Sequence, residues 1–219
     1  MKKEEFTFDY VLECVKNNKN ITYSRLFCDG EIACVLGRNG CNVDKHTYFP
    51  DMRKELRSVI ESKPPYFIAL QNLCDTQNAD NPEFQTLKAL RNDYVSSEIF
   101  SYASKDGRMS ELRDALLDRN VIQVANASLK PLGLADVFIE IPLVNCWLKK
   151  DEILGAIRKH IQPNDVVLYS ASMPTKYFIH EIYKEFGDTV TQLDCGSVWD
   201  VYVGRETRTY MKNIEKKTL

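Results

Sequence analysis

The sequence predicts an α/β fold with three layers, in which a mainly parallel sheet lies between helices. Three observations predict it. Short apolar runs typical of buried strands alternate with longer stretches whose apolar residues recur at helical spacing. Gly and Pro residues end most of these segments. Strands separated by helices are typical of βαβ units, which build parallel sheets covered on both faces.

The first 70 residues predict three helices and two strands. Each helix has apolar residues three and four positions apart, and each strand is a short run rich in β-branched and aromatic residues. The predicted helices cover residues 1–19, 29–36 and 50–63, and the predicted strands cover residues 21–27 and 66–70.

Residues 71–108 carry many turn-forming residues, among them Asn72, Asn78 and the pair Asn81-Pro82. This stretch predicts a long loop with one short helix after it. Long loops in compact domains are often functional.

The remaining residues continue the alternation and contain no convincing domain linker. They predict one domain over 1–219, with helices at 110–117, 149–161 and 174–186, strands at 121–125, 137–141, 165–169 and 190–193, and a helical tail at 204–219.

Composition excludes some classes of function. The 29 basic and 31 acidic residues give a net charge of -2, which argues against a protein that coats nucleic acid or anionic membrane through charge alone. Basic residues concentrate between Arg205 and Lys217, where Lys212, Lys216 and Lys217 predict a solvated terminal helix.

The seven cysteines predict free thiols. Their number is odd and no C-x-x-C pair occurs, which fits neither a disulfide framework nor a zinc knuckle. No run approaches the ~18 apolar residues that a membrane span needs. The first residues do not resemble a signal peptide. We therefore expect a cytoplasmic protein.

Three loops after predicted strands carry more polar residues than a simple turn needs. In the first, Asp29 and Glu31 flank Gly30, close to Arg25. Two adjacent carboxylates suit a divalent cation with oxygen ligands. The alternative is that acidic residues at a helix N-terminus interact favourably with the helix dipole and cap it.

The second loop joins a buried strand to a helix whose first position is Pro174. Free backbone N–H groups there would suit a diphosphate. The side chains that we assign to this role are Ser170, Ser172, Thr175 and Lys176. The alternative is a capped turn without a ligand.

The third loop follows the last predicted strand. Asp194 or Asp200 could act as general base, and Arg205 and Arg208 could contact phosphate in the bidentate manner of arginine. Trp199 could stack on a sugar or base, although packing of this aromatic residue on the core is the favoured interpretation.

Two further residues are weaker candidates. His46 could shuttle a proton. Asn126 follows a strand and could bind a nucleotide or cap the next turn. His180, within a helix, and His160, at a helix end, are expected to be structural.

Taken together, these loops resemble the GT-D-type glycosyltransferases. Ser24-Arg25 followed by Asp29-Gly30-Glu31 is similar to the S-R-F-G-D-G-E opening of that family. Further similar segments follow in the same order, covering about residues 20 to 210: the Asn126 loop, Ile141-Pro142 with Asn145 and Trp147, the Tyr169–Met173 loop and the run from Asp194 to Asp200. The chain departs from the family at Leu26-Phe27-Cys28 and at Ser172, where a glycine is common.

The resemblance implies a Rossmann-like fold and a D-x-E pair that holds Mn²⁺ or Mg²⁺ on a nucleotide-sugar diphosphate. Asp29 and Glu31 match that pair, and Arg25 matches its basic neighbour. We therefore expect a metal-dependent glycosyltransferase that uses a nucleotide sugar, with UDP-sugars first, and an acceptor hydroxyl on a glycan, a protein or a modified DNA base.

Two alternatives stay open. One is a non-catalytic nucleotide-sugar binding module, and the other is a metal-dependent phosphohydrolase. The sequence does not define the acceptor, the stereochemistry or the oligomeric state.

Overall fold

The chain folds around one parallel β-sheet in a computed structural model that describes residues 6–214 and Leu219. Within those residues the strands are β1 (Thr22–Phe27), β2 (Phe67–Leu70), β3 (Val95–Ser96), β4 (Val121–Asn126), β5 (Val137–Ile141), β6 (Val166–Ser170) and β7 (Thr191–Asp194). Their order in the sheet is β3-β2-β1-β7-β6-β4-β5. Every pair of neighbouring strands is parallel, as predicted.

Nine α-helices flank the strands in the described part of the chain. They are α1 (Phe8–Lys16), α2 (Asp29–Val35), α3 (Pro50–Glu61), α4 (Asn72–Gln77), α5 (Pro82–Lys88), α6 (Ile99–Lys105), α7 (Met109–Leu116), α8 (Lys150–His160) and α9 (Thr175–Phe186). Pro50 and Pro82 lie in the first turns of their helices, where a missing N–H is tolerated.

Helices cover both faces of the sheet, which confirms the three-layer prediction. Successive strand residues point to opposite faces. In β6, Val167 and Tyr169 pack with α3, α8 and α9, whereas Val166 and Leu168 pack with α1, α6 and α7. Burial of these two apolar layers is the main contribution that holds the sheet in place.

Strand β7 lies in the middle of the sheet, between β1 and β6. Its Gln192 is fully buried and accepts a hydrogen bond from the Tyr169 hydroxyl at 2.9 Å. The carboxyl ends of β1, β7, β6 and β4 therefore meet at one edge. In open parallel sheets this edge is where ligands bind.

Residues 71–108 differ from the predicted loop with one short helix. They form α4, α5, α6 and the edge strand β3. The turn-forming residues of this stretch include a helix cap: the Asn81 side chain accepts a hydrogen bond from the Phe84 N–H at the start of α5. The prediction was wrong because capping residues and loop residues are the same residue types.

The C-terminal segment also differs from the prediction. Its described part forms 3-10 turns at Asp200–Val203 and Thr209–Asn213 in place of a long helix. Lys216 and Lys217 lie outside the described residues, as do residues 1–5 of the predicted N-terminal helix. Among the described residues, no helix is long and apolar enough to cross a membrane.

Candidate functional site

A cavity of about 710 Å³ opens at the carboxyl edge of the sheet. It brings together loops that are far apart in the sequence. The predicted site residues that line it are Arg25, Asp29, Glu31, His46, Asn126, Ser170, Ser172, Lys176, Asp200, Arg205 and Arg208. Two predicted residues, Asp194 and Thr175, lie behind the lining.

A buried lysine forms the floor of the cavity. Lys176 Nζ lies 2.7 Å from Glu31 Oε1 and 2.9 Å from Asp194 Oδ2. Burial lowers the pKa of Lys176, but the Asp194 and Glu31 carboxylates outweigh burial and leave that pKa raised. The ammonium is therefore charged at neutral pH, and it joins α2, α9 and the end of β7.

Asp194 is committed to this floor. Its carboxylate is 1% exposed and accepts hydrogen bonds from the Arg25 N–H at 3.1 Å and the Gly196 N–H at 3.2 Å. Lys176 is a third partner of this carboxylate, and all three contacts are internal. The assignment of Asp194 as general base is therefore corrected, because the carboxylate holds three segments together and does not face the cavity.

The position of the Arg25 side chain requires a glycine at residue 196. A Cβ atom added to Gly196 would lie 2.0 Å from Arg25 Nη1, so the guanidinium passes directly over the glycine. The Arg25 Nε atom is buried and has no hydrogen-bond partner within the described residues. A buried donor without a partner is costly, and an anionic ligand would satisfy it.

Asp29 and Glu31 have different surroundings. Asp29 is exposed at the cavity, and its Oδ1 accepts a hydrogen bond from the Gly30 N–H at 2.8 Å. Glu31 is 5% exposed and is paired with Lys176. No group of three or more His, Cys, Asp or Glu side chains in the described residues is arranged to hold a metal ion.

The loop before α9 is tighter than predicted. Ser172 has a φ of 57°, in the left-handed region, and its hydroxyl accepts a hydrogen bond from Asn42 Nδ2 at 3.1 Å. The N–H groups of Thr175 and Lys176 donate to the carbonyls of Ser172 and Met173. These two N–H groups are therefore engaged within the loop and are not available to a diphosphate.

Thr175 is also corrected as a ligand-binding residue. Its side chain is fully buried and does not line the cavity. Ser170 and Ser172 do line the cavity and remain candidates for polar contact with a ligand.

Asp200 is the carboxylate of the third loop that lines the cavity. It is 8% exposed and accepts a hydrogen bond from Thr207 Oγ1 at 2.6 Å. Burial raises the pKa of Asp200, and the Thr207 hydrogen bond and Arg205, 3.6 Å away, only partly offset this effect. A carboxylate with a raised pKa is a better proton acceptor than an exposed one.

The two predicted arginines already have protein partners. Arg205 contacts the Ser128 hydroxyl, and Arg208 forms an ion pair with Asp44. Both guanidinium groups still line the cavity. Trp199, by contrast, is fully buried in the core, which confirms the packing interpretation for that residue.

The hydrogen bonds of His46 define its tautomer. Its Nδ1 accepts from the Asn145 N–H at 3.2 Å, so in the neutral ring the proton resides on Nε2. Burial lowers the pKa of His46, which keeps the ring neutral. With Nδ1 engaged, the ring offers the cavity a donor and not a base, so the assignment of His46 as a proton shuttle is corrected.

Known structures resemble the chain over nearly its whole length. The domain of unknown function 1792, described as having a distinct glycosyltransferase fold, matches with a TM-score of 0.61 and 17% identity over 95% of this chain and 87% of that one. The selenomethionine form of this domain matches with a TM-score of 0.62 and 16% identity, over 95% of this chain and 87% of that one. A new glycosyltransferase from Streptococcus sanguinis matches with a TM-score of 0.62 and 19% identity, over 96% of this chain and 90% of that one. The chain has this glycosyltransferase fold.

The fold predicted from the resemblance is thus confirmed. No protein-family model matches the sequence, and no curated protein matches it. Identities of 16–19% establish likeness of fold, so the role of each side chain depends on the geometry of this chain.

Within the glycosyltransferase fold, Asn126 combines the two roles considered for it. Its Oδ1 accepts from the Ser128 N–H at 3.1 Å and caps a 3-10 turn, while the residue also lines the cavity. His180 is structural, as predicted, with its Nδ1 3.3 Å from the Tyr66 hydroxyl.

Several polar cavity residues of this fold were missed in the sequence, among them Asn42 and Gln71. Asn42 binds Ser172 and, through Oδ1, accepts hydrogen bonds from the N–H groups of Asp44 and His46. Gln71 accepts from the Asp29 N–H at 3.4 Å. Gln71 directly follows β2, so the rule that polar residues after strands form sites could have found it. No local signal distinguishes Asn42.

Proposed function

We propose that this protein is a glycosyltransferase that moves a sugar from a nucleotide-sugar donor to an acceptor hydroxyl. The observation that carries the proposal is the cavity at the carboxyl edge of a glycosyltransferase fold, lined by both cationic and carboxylate side chains. Cationic groups suit the diphosphate of a donor, and a carboxylate suits the removal of a proton from an acceptor.

The donor diphosphate is assigned to the side of the cavity that carries Arg25, Arg205 and Arg208. Arg25 supports this assignment most directly, because its buried Nε has no partner within the described residues. Planar guanidinium groups bind phosphate oxygens in a bidentate manner. UDP-sugars are the first donors to test.

A divalent cation, Mn²⁺ or Mg²⁺, is assigned to the position beside Asp29 as part of this proposal. The Asp29 carboxylate is exposed at the cavity, and such cations are commonly held by one or two carboxylates together with substrate phosphates. When bound, the cation supplies charge stabilisation for the departing nucleoside diphosphate.

Asp200 is assigned as the general base. The acceptor oxygen forms a bond to the anomeric carbon while the bond from that carbon to the phosphate oxygen breaks. The acceptor proton passes to the Asp200 carboxylate, whose raised pKa favours proton uptake. His46 can donate a hydrogen bond from Nε2 to a bound hydroxyl.

The acceptor is a hydroxyl of a glycan, a protein or a modified DNA base. We also propose a cytoplasmic location, since none of the seven cysteines, all of them in the described residues, forms a disulfide.

Calorimetry with UDP-sugars, with and without Mn²⁺, followed by assays of donor consumption, tests the proposal. Binding followed by transfer or slow donor hydrolysis, both lost in Asp200→Asn with donor binding retained, is the expected result. Binding without turnover across many acceptors would indicate a binding module. Release of phosphate from simple phosphoesters would indicate a phosphohydrolase.

A further inference from the structure

The hydrogen-bonding capacity of Lys176 is fully used inside the protein. An ammonium group has three donors. Lys176 Nζ has three acceptors within reach: Glu31 Oε1 at 2.7 Å, Asp194 Oδ2 at 2.9 Å and the Ser172 carbonyl oxygen at 3.3 Å. The three charged side chains are 5%, 7% and 1% exposed. These side chains form a buried ion-pair network at the floor of the cavity.

The helix geometry separates the two acids of the D-x-E sequence. Asp29 and Glu31 both lie in the first turn of α2. Residues two apart in an α-helix are rotated by roughly 200° about its axis and do not face each other. Both residues line the cavity, but Asp29 does so as an exposed side chain, whereas Glu31 is buried against Lys176.

The negative charge of Glu31 already has a close cationic partner. The Lys176 ammonium lies 2.7 Å from Glu31 Oε1 and 2.9 Å from Asp194 Oδ2. A divalent cation bound to Glu31 would add two positive charges beside the Lys176 ammonium, in a region of low dielectric where like charges repel strongly. A cation bound to Asp29 would instead lie in the cavity, where the proposed donor phosphates can also bind it.

We propose that Glu31 and Asp29 have separate roles: Asp29 is the protein carboxylate that contacts the cation, and Glu31 is a positioning residue that anchors Lys176. This inference rests on the proposed function, since it concerns the cation of the same site. It departs from the role of the D-x-E pair that the resemblance implies, in which both acids hold the metal.

Mn²⁺ binding to the full chain in the presence of UDP, followed by electron paramagnetic resonance, tests the inference. Asp29→Asn should weaken Mn²⁺ binding by about tenfold or more, because a charged ligand is lost. Glu31→Gln should change it by less than about threefold, while the melting temperature without Mn²⁺ and UDP falls, because Lys176 loses one of its two anions. Equal losses of Mn²⁺ affinity in the two variants would overturn the inference.

A measurement on the wild-type chain avoids any dependence on the folding of variants. Crystals grown with Mn²⁺ and UDP locate the cation by anomalous scattering. We expect Mn²⁺ within about 2.5 Å of an Asp29 oxygen, with Glu31 still bonded to Lys176. Mn²⁺ at bonding distance from Glu31, or no Mn²⁺ at Asp29, would overturn the inference.

The two proposals fail in different ways. A cation on Asp29 alone, with no donor consumed under any condition, would remove the transferase and leave the division between Asp29 and Glu31 standing. Active transfer with the cation on Glu31 would support the transferase and overturn the division between Asp29 and Glu31.

Discussion

Arg208 and Asp44, which are 164 residues apart, form a two-point ion pair: Nη1 to Oδ1 is 2.8 Å and Nη2 to Oδ2 is 2.6 Å. Asp44 lies in the loop between α2 and α3, and Arg208 lies in the C-terminal segment. Because both residues line the cavity, this contact ties two of its walls together.

Asp44→Asn should loosen the C-terminal segment. The pair is about one-third exposed, so the loss in unfolding free energy should be about 1 kcal/mol or less. Limited trypsin digestion should cleave sooner after Arg205, Arg208 or Lys212. Glu152→Gln, which removes the more exposed Lys149–Glu152 pair, is the control. Equal digestion of the wild type and Asp44→Asn would mean that the contact does not hold the segment.

Gly196→Ala should weaken donor binding by displacing Arg25, whose Nη1 would lie 2.0 Å from the new Cβ. Gly133→Ala is a matched control: both glycines have a positive φ, 56° and 61°, but the Cβ added to Gly133 has no atom within 4 Å. Both variants should lose about 1–2 kcal/mol of stability from backbone strain. Calorimetry with UDP should find weaker binding in Gly196→Ala alone, and equal affinities in the two variants would contradict the role of Arg25.

Asp200→Asn should separate activity from stability. Transfer should fall by about 10²-fold or more, the usual contribution of a general base. The pKa of Asp200 is raised above the ordinary value of 3.8, so the folded protein holds this proton more tightly than the unfolded chain does. Ionised Asp200 therefore costs stability at neutral pH, and this cost disappears as the pH falls below 3.8.

Denaturant unfolding at several pH values tests whether ionised Asp200 lowers the stability of the fold. At pH 7 the Asp200→Asn variant should be at least as stable as the wild type, and its advantage should shrink as the pH falls. In the wild type, the acidic limb of the pH–rate profile should lie above 3.8. A variant that is less stable only at neutral pH would show that ionised Asp200 is favoured by the fold.

Arg119→Met should destabilise the fold without touching the site. Arg119 is 8% exposed at the amino ends of the strands and donates to the carbonyls of Val15, at 3.0 Å, and Asn164, at 2.7 Å. Loss of these donors should lower the unfolding free energy by about 2–4 kcal/mol. Affinity for UDP at low temperature should be unchanged, and Arg113→Met, at an exposed pair, should have little effect on either property.

Thiol labelling should detect one fast cysteine in the native protein. Cys41 is exposed and the other six are buried. Burial also raises the pKa of Cys28 and Cys195 to about 12, which suppresses their reactive thiolates. An Ellman assay should give one fast thiol before unfolding and seven after, and Cys41→Ser should remove the fast one. Several fast thiols in the native wild type would contradict the buried core.

The architecture was predictable because its signals are local. The apolar runs and the Pro and Gly punctuation define most of the strands and helices, and a parallel sheet places the loops after its strands at one edge. The loops after the predicted strands contain Asp29, Lys176 and Asp200, and all three residues line the cavity. The order of the strands is not local, since it depends on which strands pair.

The wrong predictions for individual site residues have the same cause, because burial and pairing depend on contacts between distant segments. Asp194 has the residue type of a general base and lies at the end of a strand, as a general base could. Its burial, however, depends on the register of β7 between β1 and β6. The pairing of Glu31 with Lys176 depends on the rotation of α2 and α9 relative to each other. Neither quantity can be derived from residue spacing along one segment.

The central position of β7 has a consequence for biosynthesis. Its partners β1 and β6 begin 169 and 25 residues earlier in the chain, at Thr22 and Val166. Until residue 194 has left the ribosome, β1–β3 and β4–β6 are two half-sheets, each with an open inner edge. Such edges invite pairing with other chains, so we expect the nascent protein to depend on protection by chaperones until β7 joins the halves.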